Sequence, residues 1–434
     1  MKMCRSACRR NWLWYGVMAN IFSIASYLLF TAVAQREPHC DIDSKAYLAK
    51  AQLIHTTGSF YDAKQPELPY YGLGYAFIIG CVYRVAGQSA TAIIFLQLLL
   101  ALMTFGLIAG ITRQLFGAKA QHYALALCSL NLGYLVFTQF ILTEITLAFF
   151  LALFFYCFMR AQSWYDYVLA GLVLGASLPI KAAGIYFIIP LVIMLLVMLQ
   201  VSYLVRLKYV LALVLGCAIV PAGYMYHNIR TFGTAALGNM ANVNLYYWFY
   251  PYLRAELNQT TTEHERRIVT RQKLSTLKSE FWATVSNNPF LTIKLWLMNV
   301  LKSMLGLYTR NLKVLVEENV RGGDISFFKT HGSLLDRAYA YVAAGATHSW
   351  VIVVGLLEVF WLMITYVLCL VALGNLYYNK RYFALMTVIL FFTYFFAITG
   401  HDGCARFRMM VEFLLIACAA GGFERVVAHH RSLR

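Results

Sequence analysis

Residues 13–34 read LWYGVMANIFSIASYLLFTAVA, and shortly afterwards the chain continues Cys40-Asp41-Ile42-Asp43-Ser44-Lys45-Ala46-Tyr47. The first stretch is long and apolar enough to cross a bilayer as a helix. Lys2, Arg5, Arg9 and Arg10 precede it, so the positive-inside rule puts the N-terminus in the cytoplasm and Asp41 and Asp43 beyond the membrane. The run is longer than a signal-peptide core and lacks a convincing cleavage site, so it reads as a retained first span. An acid just outside the membrane has no access to cytoplasmic nucleotide substrates. It points to chemistry on a molecule delivered through the lipid.

The rest of the chain extends this pattern. Of 434 residues 61% are hydrophobic and only 13% are charged, too apolar for a soluble domain. The expected fold class is an all-α polytopic membrane protein, residues 1–434 forming a single domain. About ten transmembrane helices fit the length. They are read at 13–34, 88–112, 120–139, 143–160, 165–182, 184–203, 208–226, 348–374, 382–400 and 409–428. The net charge of +17 invites a nucleic-acid reading. However, Arg113, Lys119, Arg160, Arg206, Lys208, Lys380, Arg381, Arg431 and Arg434 fall in short connections or at a terminus. That distribution is topological and is not a nucleic-acid-binding surface. Both termini are then cytoplasmic. The outer loops are 35–87, 140–142, 227–347 and 401–408.

Two apolar stretches do not fit simple spans. Residues 70–87 would invert the charge pattern if they crossed, so an interfacial or re-entrant hairpin is expected there. Residues 289–307 set Lys294 and Lys302 among large apolar side chains, as in an amphipathic helix lying on the membrane, with a crossing as the alternative. The ten cysteines form no Cys-x-x-Cys pair and no Cys/His cluster with zinc spacing, so no metal is indicated. A Cys40–Cys404 disulfide on the outer face is weighed and not favoured.

The residues able to do chemistry gather at the outer face. Asp43 stands before a helical-looking stretch, where a carboxylate either caps the helix or serves as a general base, roles that are compatible. Asp41 is its rival. Glu144 opens the fourth span, where an ionisable group beside hydrocarbon is costly unless it is used. Lys181 ends the fifth span on the same face, against the positive-inside pattern, and either snorkels or binds an anion. Arg230 and the segment His401-Asp402-Gly403-Cys404-Ala405-Arg406-Phe407-Arg408 add cations suited to a lipid phosphate. Glu358 lies within the eighth span and is given no chemical step.

In this order the segments resemble the superfamily of GT-C membrane glycosyltransferases that take sugars from polyprenyl phosphates. The likeness is to protein-mannosyltransferase-like and aminoarabinose-transferase-like members. It rests on Asp43-x-x-x-Tyr47, Pro69-Tyr70-Tyr71-Gly72-Leu73-Gly74-Tyr75, Arg113-Gln114-Leu115-Phe116-Gly117 and Thr143-Glu144. It continues through Leu178-Pro179-Ile180-Lys181, the stretch from Pro221 through Arg230 to Gly233, and Arg406-Phe407-Arg408. The resemblance implies Asp43 as catalytic base and Glu144 as a second acid, with Lys181, Arg230, Arg406 and Arg408 on the donor phosphate. Asp41, Tyr47, Tyr71 and His401 are candidate substrate-binding residues. The chain departs from the family at Gly74, where relatives often carry proline.

The expected function is inverting transfer of a sugar from a polyprenyl-phosphate donor to an acceptor hydroxyl on a glycan, lipid or protein. It would take place at the outer face of a bacterial plasma membrane, with no cofactor and membrane lipid as a partner. The alternative is a multi-span transporter or lipid flippase, which should show ionisable groups near the midplane, broken helices and paired repeats. A non-catalytic partner in an envelope-polymer complex is a third reading.

Overall fold

The computed structural model describes residues 2–33, 42–59, 72–316, 336, 339 and 349–433, and among these the chain is helical with no strand. It is an integral membrane protein. The N-terminal part comprises α1 (Lys2–Val33), α2 (Ile42–Thr57), α3 (Gly74–Ala86), α4 (Ala90–Phe116), α5 (Ala118–Ser129), α6 (Leu132–Phe137), α7 (Glu144–Arg160), α8 (Trp164–Ser177), α9 (Ile188–Met198) and α10 (Tyr203–Phe232). A layer of shorter helices follows: α11 (Met240–Asn242), a π-helical turn Val243–Phe249, α12 (Tyr250–Asn258), α13 (Thr262–Val269) and α14 (Leu274–Asn287). α15 (Pro289–Leu305) and α16 (Thr309–Val316) lead to the closing helices α17 (Ser349–Tyr378), α18 (Tyr382–Ala397) and α19 (Met409–Ser432).

Local chemistry explains the helix limits. Ser89 caps α4 by accepting from the Ala92 N–H at 3.2 Å, and Gly117 ends it at φ +98°, a conformation that costs other residues free energy. Ser163 and Asp166 form a reciprocal capping box on α8. The centre of the bundle is α19, in which every residue from Met409 to Gly422 is buried. Phe155, Phe391 and Phe413 meet there edge-to-face, with ring centres 5.3–6.0 Å apart. α8 and α10 touch backbone to backbone. A β-carbon at Gly171 would lie 2.3 Å from the Leu213 carbonyl oxygen, and one at Gly216 2.3 Å from that of Val168.

Among the described residues, five helices are long and apolar enough to cross a membrane alone, six if the bent pair α15–α16 counts as one span, so the expected ten are not reached by that measure. The reason is local. The expected span 120–139 breaks into α5 and α6 at Asn131, whose side chain accepts from the Tyr134 N–H at 3.0 Å and starts a new helix. The expected span 165–182 ends as helix at Ser177, and the expected span 184–203 begins within a 3₁₀ turn, Ala182–Phe187. Residues 289–307 do not form one flat helix: α15 bends by 65° into α16. In the 70–87 region, α3 is a 13-residue apolar helix.

The bend is held by a buried network. Arg408 donates to the carbonyls of Met304 and Gly306 at 3.0 and 2.6 Å, and to Glu412 Oε2 at 3.1 Å. Glu358 accepts from the backbone N–H groups of Tyr308 and Thr309 at 2.6 and 2.9 Å, capping α16 from α17. Tyr308 and Asn131 donate to Glu412, and the Arg408 guanidinium stacks over the Tyr308 ring at 4.2 Å. Charges this deep are stable only when paired and hydrogen-bonded, as these are.

Candidate functional site

Asp43 lies in the first turn of α2, one residue inside the helix, so it is not the terminal cap. A carboxylate there still faces the positive end of the helix dipole. Ser44 and Tyr47 from the same turn are buried, and the Tyr47 ring packs edge-on against Tyr75 at 5.1 Å. Tyr75 donates to Gln97 Oε1 at 2.8 Å. The Gln97 amide in turn donates to the carbonyls of Thr138 and Phe140 at 3.0 and 2.9 Å. This relay fixes the turn that delivers Glu144 to the start of α7.

Lys181 arrives by a different route. Gly74 N–H donates to the Pro179 carbonyl at 2.9 Å, and a β-carbon at Gly72 would lie 2.1 Å from that same oxygen. Only glycines let the 72–74 strap press against the 178–181 turn. Lys181 leaves that turn in extended conformation, its Nζ 3.5 Å from Glu144 Oε1 and 4.7 Å above the Phe407 ring.

Arg406 joins the pieces. Its Nε donates to Glu144 Oε1 at 2.5 Å and its NH1 to Asp43 Oδ2 at 2.6 Å. One guanidinium thus spans acids that lie a hundred residues apart in the chain, in α2 and α7. Arg406 rides on a short 3₁₀ turn, Ala405–Arg408, whose position is set from both sides. Arg408 anchors it below. From the helical layer, Trp296 donates to the Ala397 carbonyl at 2.8 Å and Asn299 to the Gly400 carbonyl at 3.0 Å. Gly403 takes φ +59° against Asn299, where a β-carbon would fall 2.6 Å from the Asn299 carbonyl oxygen. Two carboxylates and two cations therefore balance. Their exposures differ: the Glu144 side chain is 3% accessible and that of Asp43 25%. Among the described residues, Glu144 Oε2 and the buried hydroxyls of Ser44, Thr143 and Thr146 have no hydrogen-bond partner.

The structure thus brings together Asp43, Glu144, Lys181 and Arg406, with Tyr47 beside them. His401 donates from Nδ1 to the Ile398 carbonyl at 2.9 Å, and its ring lies 5.2 Å from Phe407, so it borders the cluster. Two expected phosphate ligands do not join it. Arg408 is fully buried in the Glu358–Glu412 network, where its guanidinium is already committed to carboxylates and carbonyls. Arg230 is exposed near the end of α10 and stacks on Tyr226 of its own helix at 5.5 Å. Asp41, Tyr71 and Cys40 lie outside the described residues. Gln97, Trp296 and Asn299 were not singled out from the sequence. Gln97, set deep in the apolar run of α4, was a readable signal; the other two became meaningful only through partners about a hundred residues away.

Comparison with known proteins gives the fold. The family model described as dolichyl-phosphate-mannose-protein mannosyltransferase matches residues 69–225, the part that holds Glu144 and Lys181. No curated protein matches the chain. Among solved structures, the oligosaccharyltransferase AglB of Archaeoglobus fulgidus, in complex with an inhibitory peptide and a dolichol-phosphate, superposes with a TM-score of 0.54 at 12% identity. That match covers 96% of this chain and 51% of that one. The apo form of the Archaeoglobus fulgidus oligosaccharyltransferase gives 0.53 at 14% identity, with the same coverage. The form tethered to an acceptor peptide gives 0.52 at 12% identity, again covering 96% and 51%. The chain therefore spans about half the length of these structures.

Proposed function

We propose that this chain, which has the fold of the polyprenyl-phosphate-dependent GT-C membrane glycosyltransferases, transfers a sugar from a polyprenyl-phosphate donor to an acceptor hydroxyl at the outer membrane face. The carrying observation is Arg406 bridging Asp43 and Glu144 with Lys181 alongside. An acid that can take a proton thus sits next to cations that can receive a phosphate. The acceptor oxygen attacks the anomeric carbon from the face opposite the phosphate. As the new carbon–oxygen bond forms, the bond to the phosphate oxygen breaks and the configuration inverts. The hydroxyl proton passes to Asp43. The electron pair leaves with the phosphate, whose charge is balanced by Lys181 and Arg406. Side chains supply this balance in our reading, because Arg406 already occupies the space between the two carboxylates. The acceptor is a glycan, lipid or protein hydroxyl. Glu358 and Arg408 are deep ionisable groups, but they satisfy each other and Glu412, so they do not argue for a transport pathway.

Asp43→Asn tests the reading. Asn has nearly the same shape and also suits a helix start, but it cannot take the proton. Transfer in membrane vesicles should fall by about 100- to 10,000-fold, the usual worth of a general base, with normal insertion and yield. Near-normal transfer by this variant would reject Asp43. Loss confined to Asp41→Asn would move the base to Asp41.

A further inference from the structure

The arrangement that identifies the site also conflicts with its use. A carboxylate gripped by a guanidinium is a poor proton acceptor, because the charge-assisted bond favours its ionised form. Asp43 is so gripped, at 2.6 Å. The two ends of the Arg406 bridge are unequal, however. The Nε end meets Glu144, which is dry, buried and further held by Lys181. The NH1 end meets Asp43, which is a quarter exposed. An ion pair weakens as water reaches it, so the Asp43 end is the one that exchanges. A phosphate offers the same planar guanidinium at least as good an acceptor.

We propose that Arg406 is a moving contact: donor phosphate takes its NH1 from Asp43 while Glu144 keeps its Nε, so that donor binding releases the base. Glu144 is then a positioning residue, the pivot of the swing, and not a second proton acceptor. Asp43 and the donor phosphate compete for one group, and Arg406 loosens its grip on the base only once the donor is seated. Binding is therefore ordered, donor first.

This inference rests on the donor reading above, and a binding experiment separates the two. The probe is farnesyl phosphate, titrated into purified full-length protein in lipid nanodiscs. The proteins are wild type, Asp43→Asn, Arg406→Gln and the double variant. Removing the competitor should tighten farnesyl phosphate binding by about tenfold, within the usual span of coupled sites. In the Arg406→Gln background the same Asp43→Asn change should give no gain. An unchanged or weaker affinity for Asp43→Asn overturns the exchange. So does an equal gain in both backgrounds, which would be simple charge repulsion. Arg406→Lys, a cation too short and compact to span both acids, serves in place of Arg406→Gln if that variant does not fold. The gain must then shrink markedly, and an undiminished gain again overturns the exchange. Failure of the folded wild type to bind farnesyl phosphate at all would reject the donor reading itself.

Discussion

Gly74 does two things that proline cannot. It donates its N–H to the Pro179 carbonyl, and it lets the strap approach so closely that a β-carbon would fall 2.8 Å from the Ile180 nitrogen. The departure from the family pattern is therefore tied to how this chain places Lys181. Gly74→Ala should push the 178–181 turn away, costing about 1–3 kcal/mol, as overpacking does. It should also weaken farnesyl phosphate binding through Lys181. Thermal unfolding together with a binding titration checks both, and a variant matching wild type in each would refute the link. The site's members were legible because ionisable residues at the ends of apolar runs are expensive and few. Their pairing was not. Arg406 resembled its neighbour Arg408 in sequence, and only the fold separates a side chain spanning two acids at an opening from one sealed against Glu358 and Glu412.

At the scale of elements, the helical layer over the site has its own core. Tyr246, Phe249, Tyr250, Leu253, Val269, Leu277, Phe281 and Leu295 pack together there. A single buried carboxylate ties α12 to α13. Glu265 accepts from Arg254 at 2.7 Å, Asn258 at 3.0 Å and Thr260 at 2.9 Å. Burial alone would raise this carboxyl, but the hydrogen bonds from Asn258, Arg254 and Thr260 outweigh it and hold it below its ordinary value. A depressed carboxyl stabilises the fold fully above its unfolded value, about 4.3, and the contribution is lost as pH falls through the lower folded value. Glu265→Gln should therefore loosen α12–α13 at pH 7 by about 1.5–3 kcal/mol and by much less at pH 3. Hydrogen exchange of these helices at the two pH values measures it, and an effect of equal size at both would contradict the assignment. The span lengths were misjudged for a physical reason: hydropathy records apolar composition, whereas a helix ends where a side chain such as Asn131 offers the backbone another partner.

For the molecule as a whole, α4 acts as a measuring rod. Near its start Gln97 is wired to the turns around the site. Near its end the carbonyls of Gln114 and Leu115 receive Arg381. Eighteen helical residues separate those points, about 27 Å, so the acid–cation site and the basic 379–381 turn lie at opposite ends of the bundle. Cysteines placed at Lys45 and Glu256 should then react with impermeant thiol reagents from outside intact cells, and cysteines at Lys119 and Tyr378 should not. The reverse pattern would put the site in the cytoplasm. The same geometry bears on synthesis. α8 has 14 residues, about 21 Å of helix, less than the thickness of a bilayer's hydrocarbon. Its glycine face fits α10, whose last turn lies more than fifty residues further along the chain. A ribosome that has released only α8 has thus delivered a segment the lipid has little reason to accept. The pair must enter together, which makes the insertion machinery, and not the bilayer, the place where this helix waits for its partner.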